Sequence, residues 1–264
     1  MSSSYPLRLL TIGGSDSGGA AGIQADLKTF TALHAYGMSA LTVVTAQDSE
    51  RIAAAHFLPP ALVAAQIESV LGDYGADAIK TGFIGQADLV QTIAAALAPY
   101  AHIPLLVDPV LVNHRGEAMF PAAVTLAYEM ALFPRAALIT PNRREAELLS
   151  GMAVRHVAEG VAALQHLRAA HPRPWLLKSI PDGPHLVDIL HDGQITLFRA
   201  PRQTTANTHG SGDTLSAAII NYLAQGQPLP QAIAAAHAFT QQAIRAAAPW
   251  RLTRGHGPLL HWSD

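Results

Sequence analysis

A three-layer α/β/α sandwich around a mostly parallel sheet is the fold class this sequence predicts, and three observations predict it. Short β-branched or leucine-rich runs, each bounded by Gly, Pro or Asp, recur along the chain. Between them lie helical segments with a one-sided apolar stripe. No Gly/Ser linker, charge block or change of composition divides the 264 residues, so one domain over residues 1–264 is expected. Strand alternating with helix gives parallel strands joined by right-handed crossovers, with helices on both faces.

The first apolar run, Leu7 to Ile12, ends in Gly13-Gly14-Ser15-Asp16-Ser17-Gly18-Gly19-Ala20-Ala21-Gly22 and then a helix carrying Gln24, Asp26 and Lys28. Further strands are expected at Ala40 to Thr45, Ala78 to Thr81, Leu105 to Val107, Ala137 to Thr140 and Trp175 to Lys178. Of the helices, Pro60 to Tyr74 is the plainest, with Val63, Ile67, Val70, Leu71 and Tyr74 on one stripe. Leu186 to Leu190 and Ile195 to Phe198 flank His191-Asp192-Gly193-Gln194, and Asp-Gly predicts a tight hairpin turn, hence an antiparallel edge ribbon. Two Ala-rich helices, Gly212 to Gln225 and Leu229 to Ala247, precede a Pro/Gly/His-rich tail.

Composition excludes several classes of function. Half the residues are hydrophobic and 14% are charged, enough apolar material for a large core without metal or disulfide staples. With no cysteine, thiolate nucleophiles and cysteine-rich zinc sites are ruled out, and a reducing, cytoplasmic setting is expected. Leu7 to Ile12 lacks the charged flank and length of a signal peptide. The apolar stretch Ala53 to Val70 is broken by His56, Pro59, Pro60, Gln66 and Glu68, short of the roughly 18 clean apolar residues of a membrane span. A formal net charge of −2 with scattered Lys and Arg gives no footprint for nucleic acid, so small-molecule partners are expected.

Asn207-Thr208-His209-Gly210-Ser211-Gly212-Asp213-Thr214 is a glycine-punctuated turn entering a strong helix. Bare amides at Gly210, Ser211 and Gly212, with the positive end of the helix dipole, suit a phosphate or the charge of a transferring phosphoryl group. Asp213, in the first turn, is ionised at neutral pH and is a candidate base for an alcohol acceptor. The same residues also satisfy a plainer reading, in which Ser211 or Asp213 caps the helix. His209 sits within this turn, placed either to touch nucleotide or to orient the loop. The glycine-rich turn after the first strand is neither a Walker A loop nor a dinucleotide fingerprint, and it either hugs a ligand by its backbone or makes a tight connection.

Open parallel sheets collect ligands beyond the carboxyl ends of their strands. The polar groups expected there are Gln47, Asp108, Asn142, Glu145 and Lys178. Each has a structural alternative: Asn142 caps a helix that Glu145 stabilises, Gln47 or Asp108 caps a loop, and Lys178 turns to water. Together they supply carboxylates for hydrated Mg²⁺ at Asp108 and Glu145, a lysine for phosphate and an amide for a heterocycle. The thirteen histidines form no H-E-x-x-H, and no G-x-S-x-G elbow occurs, which disfavours hydrolases.

The carriers of a resemblance run nearly end to end: Gly14-Ser15-Asp16, Gly22-Ile23-Gln24-Ala25-Asp26-Leu27-Lys28, Tyr36-Gly37-Met38-Ser39, Thr45-Ala46-Gln47, Asp77-Ala78-Ile79-Lys80, Asp108-Pro109-Val110, Thr140-Pro141-Asn142, Asn207-Thr208-His209-Gly210 and Gly255-His256-Gly257-Pro258. On these the chain resembles the hydroxymethylpyrimidine and phosphomethylpyrimidine kinases of thiamin biosynthesis, relatives of pyridoxal kinases with a ribokinase-like fold. The resemblance implies two successive ATP-dependent phosphorylations with Mg²⁺, and a homodimer. It implies a pyrimidine pocket of Gly14, Asp26, Gln47 and Val110, with Gln47 pairing to the ring's amino and nitrogen edge. It also implies ATP and metal contacts from Asp108, Asn142, Glu145, Lys178, Thr208 and His209, and an anion hole and base from Gly210 to Asp213.

Three positions depart from the family pattern. Asp213 stands where cysteine is common, Ser179-Ile180 replaces a glycine pair, and Phe83 ends a Lys80-Thr81-Gly82-Phe83 variant of Lys-Ile-Gly-Met, where it is expected to narrow or stack on the pocket. A pyridoxal or pyridoxine kinase is the alternative activity, and a non-catalytic pyrimidine-binding protein the alternative of another class.

Overall fold

The computed structural model describes residues 5–113 and 116–262. β1 (Arg8–Ser15) leads into α1 (Gly22–Ala32), β2 (Tyr36–Gln47), β3 (Ile52–Phe57), α2 (Pro60–Asp73), β4 (Ala78–Thr81), α3 (Ala87–Leu97), β5 (Leu105–Val107) and α4 (Ala122–Ala127). There follow β6 (Leu138–Ile139), α5 (Arg143–Ser150), α6 (Val157–Ala170), β7 (Trp175–Asp182), β8 (His185–His191), β9 (Ile195–Pro201), α7 (Ser211–Ala224) and α8 (Leu229–Ala247). Among the described residues the strands form one sheet in the order β3-β2-β1-β4-β5-β6-β7-β8-β9.

The two-residue side-chain period of a strand sorts the core into two layers. Leu10, Ile12, Ile79, Leu105, Val107 and Leu177 face α2, α3, α4 and α6. Leu9, Ala78, Leu106 and Leu176 face α1, α7 and α8 on the other side. Strands buried on both faces are the mark of a parallel sheet under helices, and β2, β1, β4, β5, β6 and β7 pair in parallel. The stripe of α2 buries Val63, Ile67 and Leu71 as expected, whereas Tyr74 lies outside the helix, half exposed and stacked on Tyr36.

Antiparallel pairing is more extensive than the single ribbon expected. β3 pairs antiparallel to β2 at one edge, and the other edge is a meander in which β7 turns into β8 and β8 into β9. β3 carries three consecutive exposed alanines, Ala53 to Ala55, which have little strand preference of their own. The β7–β8 turn contains Asp182-Gly183, the same signal read at Asp192-Gly193, with Gly183 at φ 59°. Pro181 and Pro184 around it read against a strand interior, yet Pro181 pairs with Leu186 at the far end of β7, past the residue that pairs with β6.

β7 contains a bulge that bears on the site. Leu177 pairs with Ile189 and Ile180 with Val187, so Lys178 and Ser179 together oppose Asp188. Ser179 takes φ 62°, the left-handed region costly for a residue with a Cβ. Asp188 holds it there: one carboxylate oxygen accepts the Ser179 N–H at 2.6 Å, and the other lies 2.6 Å from His237 Nε2 on α8. Burial works against the charged form of His237, but the bond and charge of Asp188 outweigh it and raise its pKa. Ser179→Gly should raise stability to urea by about 1 kcal/mol through relief of the strained φ. Asp188→Ala should lower it by about 2 kcal/mol, because the Ser179 N–H and His237 both lose their acceptor.

Candidate active site

Above the carboxyl ends of β1, β2 and β4 lies a cavity of about 660 Å³. Of the residues singled out from sequence, Gly14, Gln47, Phe83 and Val110 line it from one side. Thr208, His209, Gly210, Ser211, Gly212 and Asp213 line it from the other. Asp108, Asn142, Glu145 and Lys178 lie off this cavity, the first three beyond β5 and β6 and Lys178 at the bulge within β7.

The anion turn has the geometry that bare amides require. Gly210 is the N-cap of α7 at φ 81°, and no side chain caps the helix, so the reading of Ser211 or Asp213 as a cap gives way to uncapped N–H groups at the cavity wall. A Cβ on Gly210 would lie 1.8 Å from the Ala20 carbonyl oxygen, so only glycine allows the two loops to meet. The first glycine-rich loop does not offer its amides to a ligand. The Asp16 carboxylate takes them, accepting from Gly18 at 2.8 Å and from Ala20 and Ala21 at 2.9 Å each.

Asp26 corrects the expectation that it lines the pocket. It is 1% exposed and lies beneath the cavity floor, because its helix turns it into the sheet. There it accepts from Thr11 Oγ1 at 2.6 Å and from Lys80 Nζ at 2.5 Å. Lys80, fully buried on β4, reaches on to Asp213 Oδ1 at 3.3 Å. Burial, opposed by the Lys80 ammonium, pushes Asp26 up to about 7. For Lys80, burial disfavours the charge, and Asp26, Asp213 and Asp108 more than offset it, holding the ammonium above its ordinary pKa.

A second buried group lies alongside. Lys178 Nζ donates to both oxygens of Asp108, at 2.9 and 3.1 Å, and a side-chain carbon on Gly212 would lie 3.7 Å from that ammonium. Asn142 and Glu145 form a capping box on α5: Asn142 Oδ1 accepts from the Arg144 and Glu145 amides, and Glu145 Oε2 accepts from the Asn142 amide at 2.8 Å. The helix-capping alternative for these two is therefore what the geometry contains. Glu145 Oε1 also accepts from Leu111 N at 3.2 Å, and burial raises this carboxyl to about 8. Among the described residues, no group of three or more His, Cys, Asp or Glu side chains is arranged to hold a metal ion.

His209, assigned above with the nucleotide contacts, sits against the first loop and the end of β2. Its Nε2 lies 3.2 Å from Gln47 Nε2 and 3.7 Å from Asp16 Oδ2, so it borders the side of the cavity that holds Gln47. Phe83 packs between Phe57 and Phe120, with ring centroids 6.3 and 5.5 Å away, and gives the cavity an aromatic wall.

The sequence model of phosphomethylpyrimidine kinase matches residues 16–260. The chain belongs to the phosphomethylpyrimidine kinase family. Among members of the family with curated names, the hydroxymethylpyrimidine/phosphomethylpyrimidine kinase of Streptomyces coelicolor is 42% identical over 261 residues, covering 97% of this chain and 94% of that one. A thiamine biosynthesis bifunctional protein of Geobacter sulfurreducens is 44% identical over 259 residues, covering 96% of this chain and 52% of its own, so the chain spans about half the length of that relative. Of solved structures, a Bacillus subtilis pyridoxal kinase in complex with ADP superposes with a TM-score of 0.89 at 33% identity, covering 97% of both chains. A Clostridium difficile phosphomethylpyrimidine kinase does so at 0.80 and 32% identity, covering 90% of this chain and 99% of that one.

Within this member of the family, Lys80 and Asp16 are two site residues that reading the sequence did not place. A lysine in the four-residue strand Ala78–Thr81 was the available signal, since a charge in a buried strand needs a partner. Gly210→Ala should lower both stability, by about 2 kcal/mol or more in chemical denaturation, and any phosphoryl transfer, because the new methyl forces the loops apart. Glu145 supplies a pH test. Its folded pKa of about 8 stands above the ordinary carboxylate value, so the folded chain keeps a proton the unfolded chain has released, and stability falls as pH rises through that window. Glu145→Gln keeps the acceptor for Asn142 N–H, and its thermal midpoint should decline less between pH 5 and pH 8.5 than that of the parent.

Proposed function

We propose that the chain phosphorylates 4-amino-5-hydroxymethyl-2-methylpyrimidine, and then its monophosphate, at the expense of ATP. What supports the reading is a full-length family match in a chain whose cavity holds Gln47, an aromatic wall, uncapped amides and a carboxylate together. The hydroxymethyl oxygen attacks the γ-phosphorus of ATP, the bond from that phosphorus to the bridging oxygen breaks, and ADP leaves. Asp213 takes the proton of the attacking hydroxyl, while the amides of Gly212 and Asp213 donate to the equatorial oxygens of the transferring group.

Gly14, Gln47, Phe83 and Val110 hold the ring. Lys178, Asn142 and Thr208 hold the nucleotide phosphates beyond the turn. Asp108, and Glu145 when ionised, would hold a hydrated Mg²⁺ that arrives on ATP, since such an ion takes one or two carboxylates plus phosphate oxygens and not an all-protein cage. When bound, Mg²⁺ would neutralise the charge of the β- and γ-phosphates. A homodimer in the cytoplasm completes the reading. Among the described residues no helix is long and apolar enough to cross a membrane, and Val44 and Ile52 on the β2–β3 edge are 45% and 47% exposed.

The second acceptor is a phosphate oxygen, largely ionised at neutral pH, and needs no base. Asp213→Asn should therefore cost about 10²- to 10⁴-fold in kcat on the hydroxymethyl acceptor, and much less on the monophosphate. Product mass after incubation of Mg·ATP with the pyrimidine, its monophosphate, pyridoxal, pyridoxine and ribose tests the whole reading. Turnover of pyridoxal alone would replace it with a pyridoxal kinase, and tight pyrimidine binding without ADP formation with a binding protein.

A further inference from the structure

Lys80 is a buried cation with more carboxylates than it needs. It contributes an ammonium to a four-residue strand whose other positions, Ala78, Ile79 and Thr81, are likewise buried. Asp26 at 2.5 Å, itself held by Thr11, already balances its charge. A closed Lys–Asp pair would serve the fold no better than two apolar side chains of similar volume, which are often neutral or stabilising in such a position. Yet the ammonium also lies 3.3 Å from Asp213 Oδ1, on a carboxylate whose side chain is 19% exposed to the cavity.

We propose that Lys80 is a positioning residue for phosphoryl transfer, which ties Asp213 Oδ1 to the sheet so that Oδ2 alone faces the acceptor hydroxyl. The inference rests on the reading of Asp213 as the base. Among the described residues, Oδ2 makes no hydrogen bond to protein. The carboxylate sits in the first turn of α7, and a free Asp side chain there would rotate or fold back on the helix amides that the phosphoryl group needs. A donor fixed from below prevents both. Lys80 brings together β4, α1 through Asp26, and α7 through Asp213, so the base is set relative to the sheet that also carries Gln47 and Phe83. Asp108 also acts on this ammonium, at longer range.

The test is a mutant cycle on the full chain, read as kcat and KM with the hydroxymethyl acceptor. Lys80→Met alone strands Asp26 and lowers stability, so the working variant is Asp26→Asn with Lys80→Met, which removes both charges and keeps the Thr11 bond. It should fold with a thermal midpoint near the parent's, lose about 10- to 100-fold in kcat, and keep KM within about 3-fold, since misplacement of a reacting group by an ångström costs on that order. In an Asp213→Asn background the same pair of changes should have almost no further effect on kcat. A folded Asp26→Asn/Lys80→Met enzyme with the parent's kcat would overturn the proposal, as would an additive loss on top of Asp213→Asn, which would mean that Lys80 acts on the phosphates directly. A near-normal kcat for Asp213→Asn alone would instead remove the base reading on which the proposal stands.

Discussion

Two loops pressed backbone to backbone make this site. Gly210 lies where any side chain would run into the Ala20 carbonyl, and Gly22 where a Cβ would come within 2.5 Å of the Gly14 carbonyl. Asp16 then ties the first loop to itself through three amides, so the surface against which the α7 turn rests is rigid. The second loop is strapped from behind: Asn207 Nδ2 donates to the Ala247 and Trp250 carbonyls, and His209 N donates to the Gly257 carbonyl at 3.0 Å. Amides fixed in this way need no reorganisation when charge develops in front of them, which is where electrostatic catalysis gains most.

Beneath the loops, the sheet carries a row of buried charges that the core must support. An isolated ion taken from water costs several kcal/mol after relaxation, a large share of the roughly 5–15 kcal/mol by which domains are stable. Each cation here is accordingly paired, Lys80 with Asp26 and Lys178 with Asp108, while Glu145 accepts two backbone amides. The strands beneath are short, four residues in β4, three in β5 and two in β6, so a polar residue reaches the site within a step or two of a fully apolar interior. Leucine, isoleucine and valine on both faces of these strands supply the burial that offsets the charged row.

How much of this was legible follows from how local each signal is. The parallel strands could be read because strands buried on both faces are apolar throughout, and the β8–β9 hairpin because Asp192-Gly193 carries its own turn geometry. β3 could not, since Ala53 to Ala55 express no preference that pairing with β2 does not impose. The β7–β8 turn had its Asp182-Gly183 signal masked by flanking prolines. In the site, Gly210 to Asp213 was readable as one continuous turn. Asp26 was placed on the wrong surface, because nothing in its helix states that Lys80, 54 residues away, waits inside the sheet. From their spacing alone Asn142 and Glu145 fit a helix cap or, respectively, an ATP contact and a metal ligand, and the capping bonds appear only in three dimensions. The contact of Gln47 with His209 spans 162 residues and no local pattern encodes it.

That contact also bears on which heterocycle the cavity suits. The Gln47 amide has two hydrogens and one carbonyl. With Nε2 beside His209 Nε2, an imidazole protonated on Nδ1 accepts one hydrogen and leaves the other free. Thr45 Oγ1 lies 2.7 Å from the Ser15 carbonyl and 3.3 Å from Gln47 Oε1, so its single proton goes to the shorter acceptor and Oε1 keeps its capacity. One donor and one acceptor then remain side by side, the complement of a ring nitrogen next to an exocyclic amine. An aminopyrimidine edge satisfies both at once, whereas a ring with a hydrogen or a methyl in place of the amine leaves Oε1 without a donor. A site that hydrogen-bonds its substrate in this manner rejects the mismatched ring chiefly because its own buried polar groups are left unpaired. Under the proposed reading, selection among vitamin-like heterocycles therefore lies in the bond between Gln47 and the anion turn, the same turn that holds the amides for phosphoryl transfer.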